Sequence, residues 1–410
     1  MTRSTHSPGL RRTTAFVVTL LLIEFLDEFV FGARDAAWPL IRSELGLSYV
    51  QVGILLGVPG IIGNAIEPAL GILGDVGQRR KIVLAGGIVF SLALLLTAAS
   101  SHFVLLLISF ILLSPASGAF VSLSQATLMD LDPSRHSQNM ARWTFAGSAG
   151  VVLGPLALAA AAGIGFGWRG LFVAFAGLAL FLLVMARRHT FTSSASPLDG
   201  GGFVSGARHA LLALKRRDVL RWLTLLEFSD LMLDVLLGFL ALYFVDVVGV
   251  TPAQAGLAVA VWSGAGLVGD LLLIPLLERV HDLAYLRVSA LVELILFPLF
   301  LLAPSFGAKL VALALLGFFN AGWYAILRAQ LYSAMPGQSG TTITLGNLFG
   351  LAGSLIPLGL GIAAGHYGLG ASLWLLLLGP VALLLGIPIR GGKGAGHKSE
   401  GQDRADRNGT

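Results

Sequence analysis

Five ionisable side chains, Glu24, Asp27, Glu28, Arg34 and Asp35, interrupt a stretch that is otherwise apolar from about residue 14 to about residue 41. Their spacings of three, four, seven and eleven residues place them on one stripe of a helix. At ~1.5 Å per residue, Glu24 lies near the middle of a bilayer. A second run, at 217–245, carries Glu227, Asp230 and Asp234 on an equivalent stripe. A charged carboxylate facing lipid costs several kcal/mol, so both stripes are expected to face a shared, hydrated cavity. There they would bind a proton, a cation or the cationic part of a solute, because crowded carboxyls out of water are candidates to exchange protons. The competing reading is that hydrogen bonds from neighbouring helices, and Arg34, simply hold them in place.

The two stripes are copies of one pattern. A constant offset of 203 carries Glu24 and Asp27 onto Glu227 and Asp230. It also carries Ser48, Gln51 and Gly53 onto Thr251, Gln254 and Gly256, Glu67 onto Asp270, and Asp75 onto Glu278. One membrane unit is used twice, the build of alternating-access carriers. Glu67 and Asp270 sit at matching depths and are expected to act as gate or coupling groups, with Arg328 as an ion-pair partner. Asn320 and Trp323 on the tenth helix, and Asn64 on the second, are candidate ligand contacts. Glu293 is read as facing the rim of the bundle, without a role. No histidine is paired at metal-ligand spacing, and the chain has no cysteine, so no metal and no cofactor are expected.

Composition sets the solvent. Of 410 residues 56% are apolar and 12% charged, against roughly 25% charged in a typical soluble domain, and the mean hydropathy is +0.84. That much apolar surface calls for lipid. Apolar windows of about 20 residues predict twelve helices, near 14–40, 49–70, 81–100, 103–128, 142–162, 169–187, 217–245, 252–275, 284–303, 307–332, 341–364 and 368–389. The first could be mistaken for a signal peptide, but Glu24, Asp27 and Glu28 interrupt it and no small-residue cleavage site follows. With both termini inside, 22 of the 27 Lys and Arg residues fall on the cytoplasmic side, among them Arg11, Arg12, Arg79, Arg80 and Lys81. The net charge of +5 therefore reflects loop asymmetry, and no nucleic acid is expected as partner.

The expected organisation is a cytoplasmic N-terminus (1–13), a six-helix bundle (14–188), a Ser/Gly/Pro-rich cytoplasmic linker with a basic amphipathic end (189–216), a second bundle (217–389) and a disordered cytoplasmic tail (390–410). The tail's GGKGAGHKS has His397 where a phosphate loop needs Lys, and no strand precedes it.

Between the second and third helices stands Gly71-Ile72-Leu73-Gly74-Asp75-Val76-Gly77-Gln78-Arg79-Arg80-Lys81. It resembles the loop motif of the major facilitator superfamily, a glycine, an aspartate four residues on, then a basic pair; Val76 and Gln78 depart from the pattern. Ala37-Trp38-Pro39-Leu40-Ile41 with Leu45-Gly46-Leu47-Ser48 is similar to that family's first-helix ending. Gly150-Val151-Val152-Leu153-Gly154-Pro155 resembles its fifth-helix antiporter motif, without the closing glycine pair. The arginine that many drug:proton antiporters carry in the fourth helix is absent, with Ser114 at its place. The run LGLSYVQVGI with Glu67-Pro68 is similar to the fosmidomycin-resistance branch.

The resemblance implies two pseudo-symmetric six-helix bundles that rock about a central site. Gly71, Asp75, Arg79 and Arg80 would then form an inner gate, Asp75 meeting the start of the eleventh helix near Thr341–Thr344 and pairing with Arg79. Gly150, Gly154 and Pro155 would mark an exporter. The expectation is a monomeric secondary transporter of the bacterial inner membrane that exports a small amphipathic or cationic compound, with the proton gradient as energy source. Proton-coupled uptake of a sugar, amino acid or organic ion is the alternative. An intramembrane enzyme would need a metal or nucleophile cluster, and a receptor would need a sizeable sensing domain; neither is legible here.

Overall fold

The structure is a computed structural model that describes residues 8–74, 78–131, 136–189, 191, 215–335 and 339–388. Asp75, most of the linker and the tail lie outside the described residues. Twelve membrane-length helices account for nearly all of the rest. In the first half they are α1 (Pro8–Leu45), α2 (Tyr49–Leu73), α3 (Arg79–Ala99), α4 (Phe103–Leu131), α5 (His136–Gly163) and α6 (Gly167–Ala186). In the second they are α7 (Arg217–Asp246), α8 (Pro252–Leu277), α9 (Asp282–Leu302), α10 (Phe306–Ala334), α11 (Ser339–Tyr367, interrupted after Gly353) and α12 (Leu369–Gly386). Eleven of them are long and apolar enough to cross a bilayer by composition alone; α1 stands apart because of its charged stripe. An even number of crossings returns the chain to the side it started from, here called the terminal side.

The internal repeat is visible in how helices begin. In α2 the Ser48 hydroxyl accepts from Gln51 N–H at 3.2 Å, and the Gln51 side chain accepts from Ser48 N–H at 2.9 Å. At the equivalent start of α8, Thr251 and Gln254 make the same reciprocal pair at 3.3 and 3.0 Å. Each capping box satisfies two backbone donors that a helix start otherwise leaves open.

Within the first half, α1 packs along α5 through a glycine seam. A Cβ on Gly150 would meet the backbone of Phe25 and Phe29, and one on Gly154 would meet the backbone of Gly32 and Ala33. Between the halves, α1 and α2 pack on α7, α8 and α11, and α5 packs on α8. There Gly53 and Gly361 bring α2 and α11 into backbone contact. Several helices are irregular part-way along their length, one of them at the cavity wall. A π turn occupies Leu231–Val235 in α7, another Gly118–Ser122 in α4, and α10 breaks at Ala321–Gly322, with Gly322 at φ +76°. Departures from α geometry of this kind collect at functional positions.

Candidate functional site

The two halves enclose a cavity of about 710 Å³. Around it α7 brings Glu227, Asp230 and Asp234, α1 brings Glu28, Arg34 and Asp35, and α10 brings Tyr324 and Arg328. Asn64, Trp262, Asn347 and Ser354 add neutral polar groups from α2, α8 and α11. The acids outnumber the bases five to two. Its size falls within the roughly 300–1,000 Å³ of small-molecule sites.

Each wall has a local cause. The π turn widens α7 by one residue just after Asp230 and places Asp230 and Asp234 together on the cavity face. On α11, Gly346, Gly350 and Gly353 lie opposite polar side chains. A Cβ would stand 3.4 Å from Arg328 Nη1 at Gly346 and 2.9 Å from Asn64 Nδ2 at Gly350, and would collide with Glu227 Oε2 at Gly353. The row is a recess into which polar and charged side chains fit. Arg34 is paired with Asp35 at 2.8 Å and stacks on Phe31 and Phe110, 4.5 and 5.9 Å from the ring centres. Arg328 makes no ion pair among the described residues and lies beside the rings of Tyr324 and Tyr332 at 5.6 and 5.8 Å. The indole N–H of Trp262, on the cavity wall, has no hydrogen-bond partner. A smaller recess of about 170 Å³ opens beside Arg34, lined by Phe31, Leu55, Pro59, Phe110 and Leu113.

Among the described residues, the polar contacts that join the halves at helix ends lie on the side away from the termini. Arg42 pairs with Asp246 at 2.7 Å, and Tyr49 donates to the same carboxylate at 2.9 Å. Deeper in, Asn64 donates to Ser354 at 3.3 Å. Among the described residues no hydrogen bond or ion pair ties the halves together at the helix ends on the terminal side. The described latch, Arg42 and Tyr49 on Asp246, lies on the side away from the termini, and the cavity lies on the terminal side of it.

Several residues expected at the cavity stand elsewhere. Asp27 is buried and accepts from the Ser117 hydroxyl of α4 at 2.9 Å, and Glu24 is buried with its carboxyl over Gly147 of α5. Neither lines the cavity, because the close α1–α5 seam turns this part of the stripe into helix contacts. Asn320 donates to the Met232 carbonyl at 3.2 Å, and the Trp323 indole donates to Ser289 at 2.8 Å; both are enclosed between α7, α9 and α10. Glu67 packs over Gly118, and Asp270 accepts from Gly322 N–H at 3.0 Å. Neither pairs with Arg328, which points into the cavity instead. Arg79 is buried and pairs with Asp130 of α4 at 2.5 Å; the expected pairing with Asp75 falls outside the described residues. Arg80 donates to the Arg187 carbonyl at 3.0 Å. Gly71 has open space around it, Gly150 and Gly154 form the seam with α1, and the Pro155 carbonyl faces Gly256 of α8. Glu293, placed at the rim by sequence, is fully buried. Trp262, Tyr324, Asn347 and Ser354 were not singled out in the sequence. Asn347 and Ser354 are spaced seven apart on the glycine face of α11, a signal that could have found them.

Comparison with known proteins agrees with this architecture. The profile of the Major Facilitator Superfamily matches residues 20–358. A bacterial homologue of the human lysosomal transporter Spinster, in an inward-facing and occupied conformation, superposes with a TM-score of 0.70 at 16% identity, covering 93% of this chain and 95% of that one. The nucleoside transporter NupG superposes with a TM-score of 0.71 at 14% identity, covering 91% and 98%. No curated protein sequence matches the chain significantly.

Proposed function

Since the chain is a member of the Major Facilitator Superfamily, a secondary transporter that works by alternating access, we propose that it exports a small amphipathic or cationic compound in exchange for protons. The observation that carries this reading is the charge of the cavity, five carboxyl groups against two arginines. A cationic head would sit among Glu227, Asp230 and Asp234, and the ring of an amphipathic solute would enter the apolar recess beside Phe31 and Phe110. Protons and a cation would compete for the same carboxyls, which is the simplest way to exchange one for the other. In this reading the chain sits in a bacterial inner membrane and the lysine and arginine bias supports cytoplasmic termini, so that the latched side is the outer one and the cavity faces inward. Protein and bilayer suffice in this scheme, the chain acting as a monomer with no cofactor beyond the proton gradient.

Uptake of a polar solute is the second reading. Asn64, Asn347, Ser354 and the free Trp262 N–H offer directional hydrogen bonds to a neutral molecule, and one structural neighbour is a nucleoside transporter. Flux in proteoliposomes separates the two. With an imposed pH gradient and a panel of cationic amphiphiles, sugars and nucleosides, export predicts cation movement against the proton flow. Movement of a neutral solute with the protons would replace that reading by uptake.

A further inference from the structure

Away from the cavity, α9 carries a polar stripe that the transport reading leaves unused. Tyr285, Ser289 and Glu293 recur every fourth residue and share one face. That face meets α10 at its break. The Tyr285 hydroxyl donates to the Ala321 carbonyl at 3.0 Å, Gly322 N–H donates to Asp270 of α8 at 3.0 Å, and the Trp323 indole donates to Ser289 at 2.8 Å. On its other side the break holds α7, because Asn320 donates to the carbonyl of Met232 within the π turn that carries Asp234 and follows Asp230. One interruption in α10 therefore touches both the turn bearing the cavity acids and the stripe on α9.

Glu293 is the anomaly of the stripe. It is 0% exposed, and neither carboxyl oxygen has a hydrogen-bond partner. The titratable groups nearest on the surrounding elements are already engaged: Tyr285 with Ala321, and Asp270 with Gly322. Arg287, on the same helix, donates to the carbonyls of Ile387 and Pro388 beyond α12. α12 itself has no ionisable side chain between Leu369 and Gly386; α10 brings the neutral Asn320 and Trp323, and its Lys309 is engaged at the far end of α9, donating to the Tyr243 hydroxyl and to the Phe300 and Leu301 carbonyls. A bare carboxylate at such a place is an uncompensated charge costing several kcal/mol, which a bound proton removes.

We propose that Glu293 is a proton-binding site remote from the cavity, and that its occupancy is transmitted to the cavity acids through the broken α10. The site extends the proton-coupled reading above, yet its test needs no transported solute and so fails or succeeds separately from that reading. Infrared difference spectra of the purified protein between acidic and alkaline pH are compared for wild type and Glu293→Gln, a neutral isostere that keeps the packing. Wild type should show a protonated-carboxyl C=O band that is lost in Glu293→Gln. Tryptophan fluorescence, with the Trp323 contribution defined by Trp323→Phe, should show a pH-dependent step that Glu293→Gln abolishes. Ser289→Ala, which cuts the link to Trp323 only, should keep the band and lose the step. An unchanged carboxyl band in Glu293→Gln would overturn the proposal. So would a Glu293 band that does not respond to pH, or a fluorescence step that survives in Glu293→Gln.

Discussion

The acids at the start of the α1 stripe and their repeat partners on α7 occupy equivalent positions and unlike surroundings. Glu24 and Asp27 are pressed into contacts with α5 and α4, whereas Glu227 and Asp230 line the cavity. Two features make the difference. Gly147, Gly150 and Gly154 let α5 close on α1, while the π turn and Gly353 open a space in front of α7. Duplication supplied both halves with midplane acids, and local packing decided which of them line the cavity. Pseudo-symmetry of sequence is therefore a poor guide to symmetry of surroundings, and the charges that line the cavity come mainly from α7 and from Glu28, Arg34 and Asp35 of α1.

That contrast can be broken most sharply at its centre. Asp230→Asn should abolish pH-gradient-driven flux in proteoliposomes while sparing downhill exchange, and Asp234→Asn should act in the same direction. Gly353→Ala should rank next, because the added methyl occupies the place of the Glu227 carboxyl. It should raise KM roughly tenfold or more, the equivalent of ~1.4 kcal/mol of lost binding, whereas Gly346→Ala, with 3.4 Å to Arg328, should be milder. Asp27→Asn should cost mainly packing, about 1 kcal/mol through the Ser117 contact, seen as a lower melting temperature with coupling retained. If Asp27→Asn uncouples transport and Asp230→Asn does not, the assignment of the two stripes is inverted. The smallest effect belongs to the latch. Arg42 and Asp246 are 28% and 22% exposed, so Arg42→Ala should remove no more than ~1 kcal/mol. It should shift labelling of a cysteine placed near Tyr49 only modestly towards the unlatched state.

Much of this was legible in the sequence. Twelve apolar runs, the offset of 203, and the Ser/Thr-x-x-Gln pairs that became capping boxes all depend on local spacing, and local spacing survives folding. The acid stripe on α7 was legible for the same reason. What the sequence concealed depends on rotation and approach. Helical periodicity places Glu24, Asp27 and Glu28 on one stripe, but only the α1–α5 seam decides that Glu28 emerges into the cavity while the other two are covered. Arg79 finds Asp130 across another helix, which no local motif encodes. Asn347, Ser354 and Trp262 are single polar side chains in apolar helices and look like packing residues until the cavity is drawn around them.

The most direct measurement uses the natural absence of cysteine. Asn347→Cys places one thiol on the cavity wall, and its reaction with a membrane-impermeant reagent can be followed from either side of oriented vesicles. The account predicts labelling from the terminal side at rest, protection by the transported solute, and labelling from the opposite side during turnover. A thiol that reacts from neither side, or one indifferent to solute, would contradict the claim that this cavity is where transport occurs.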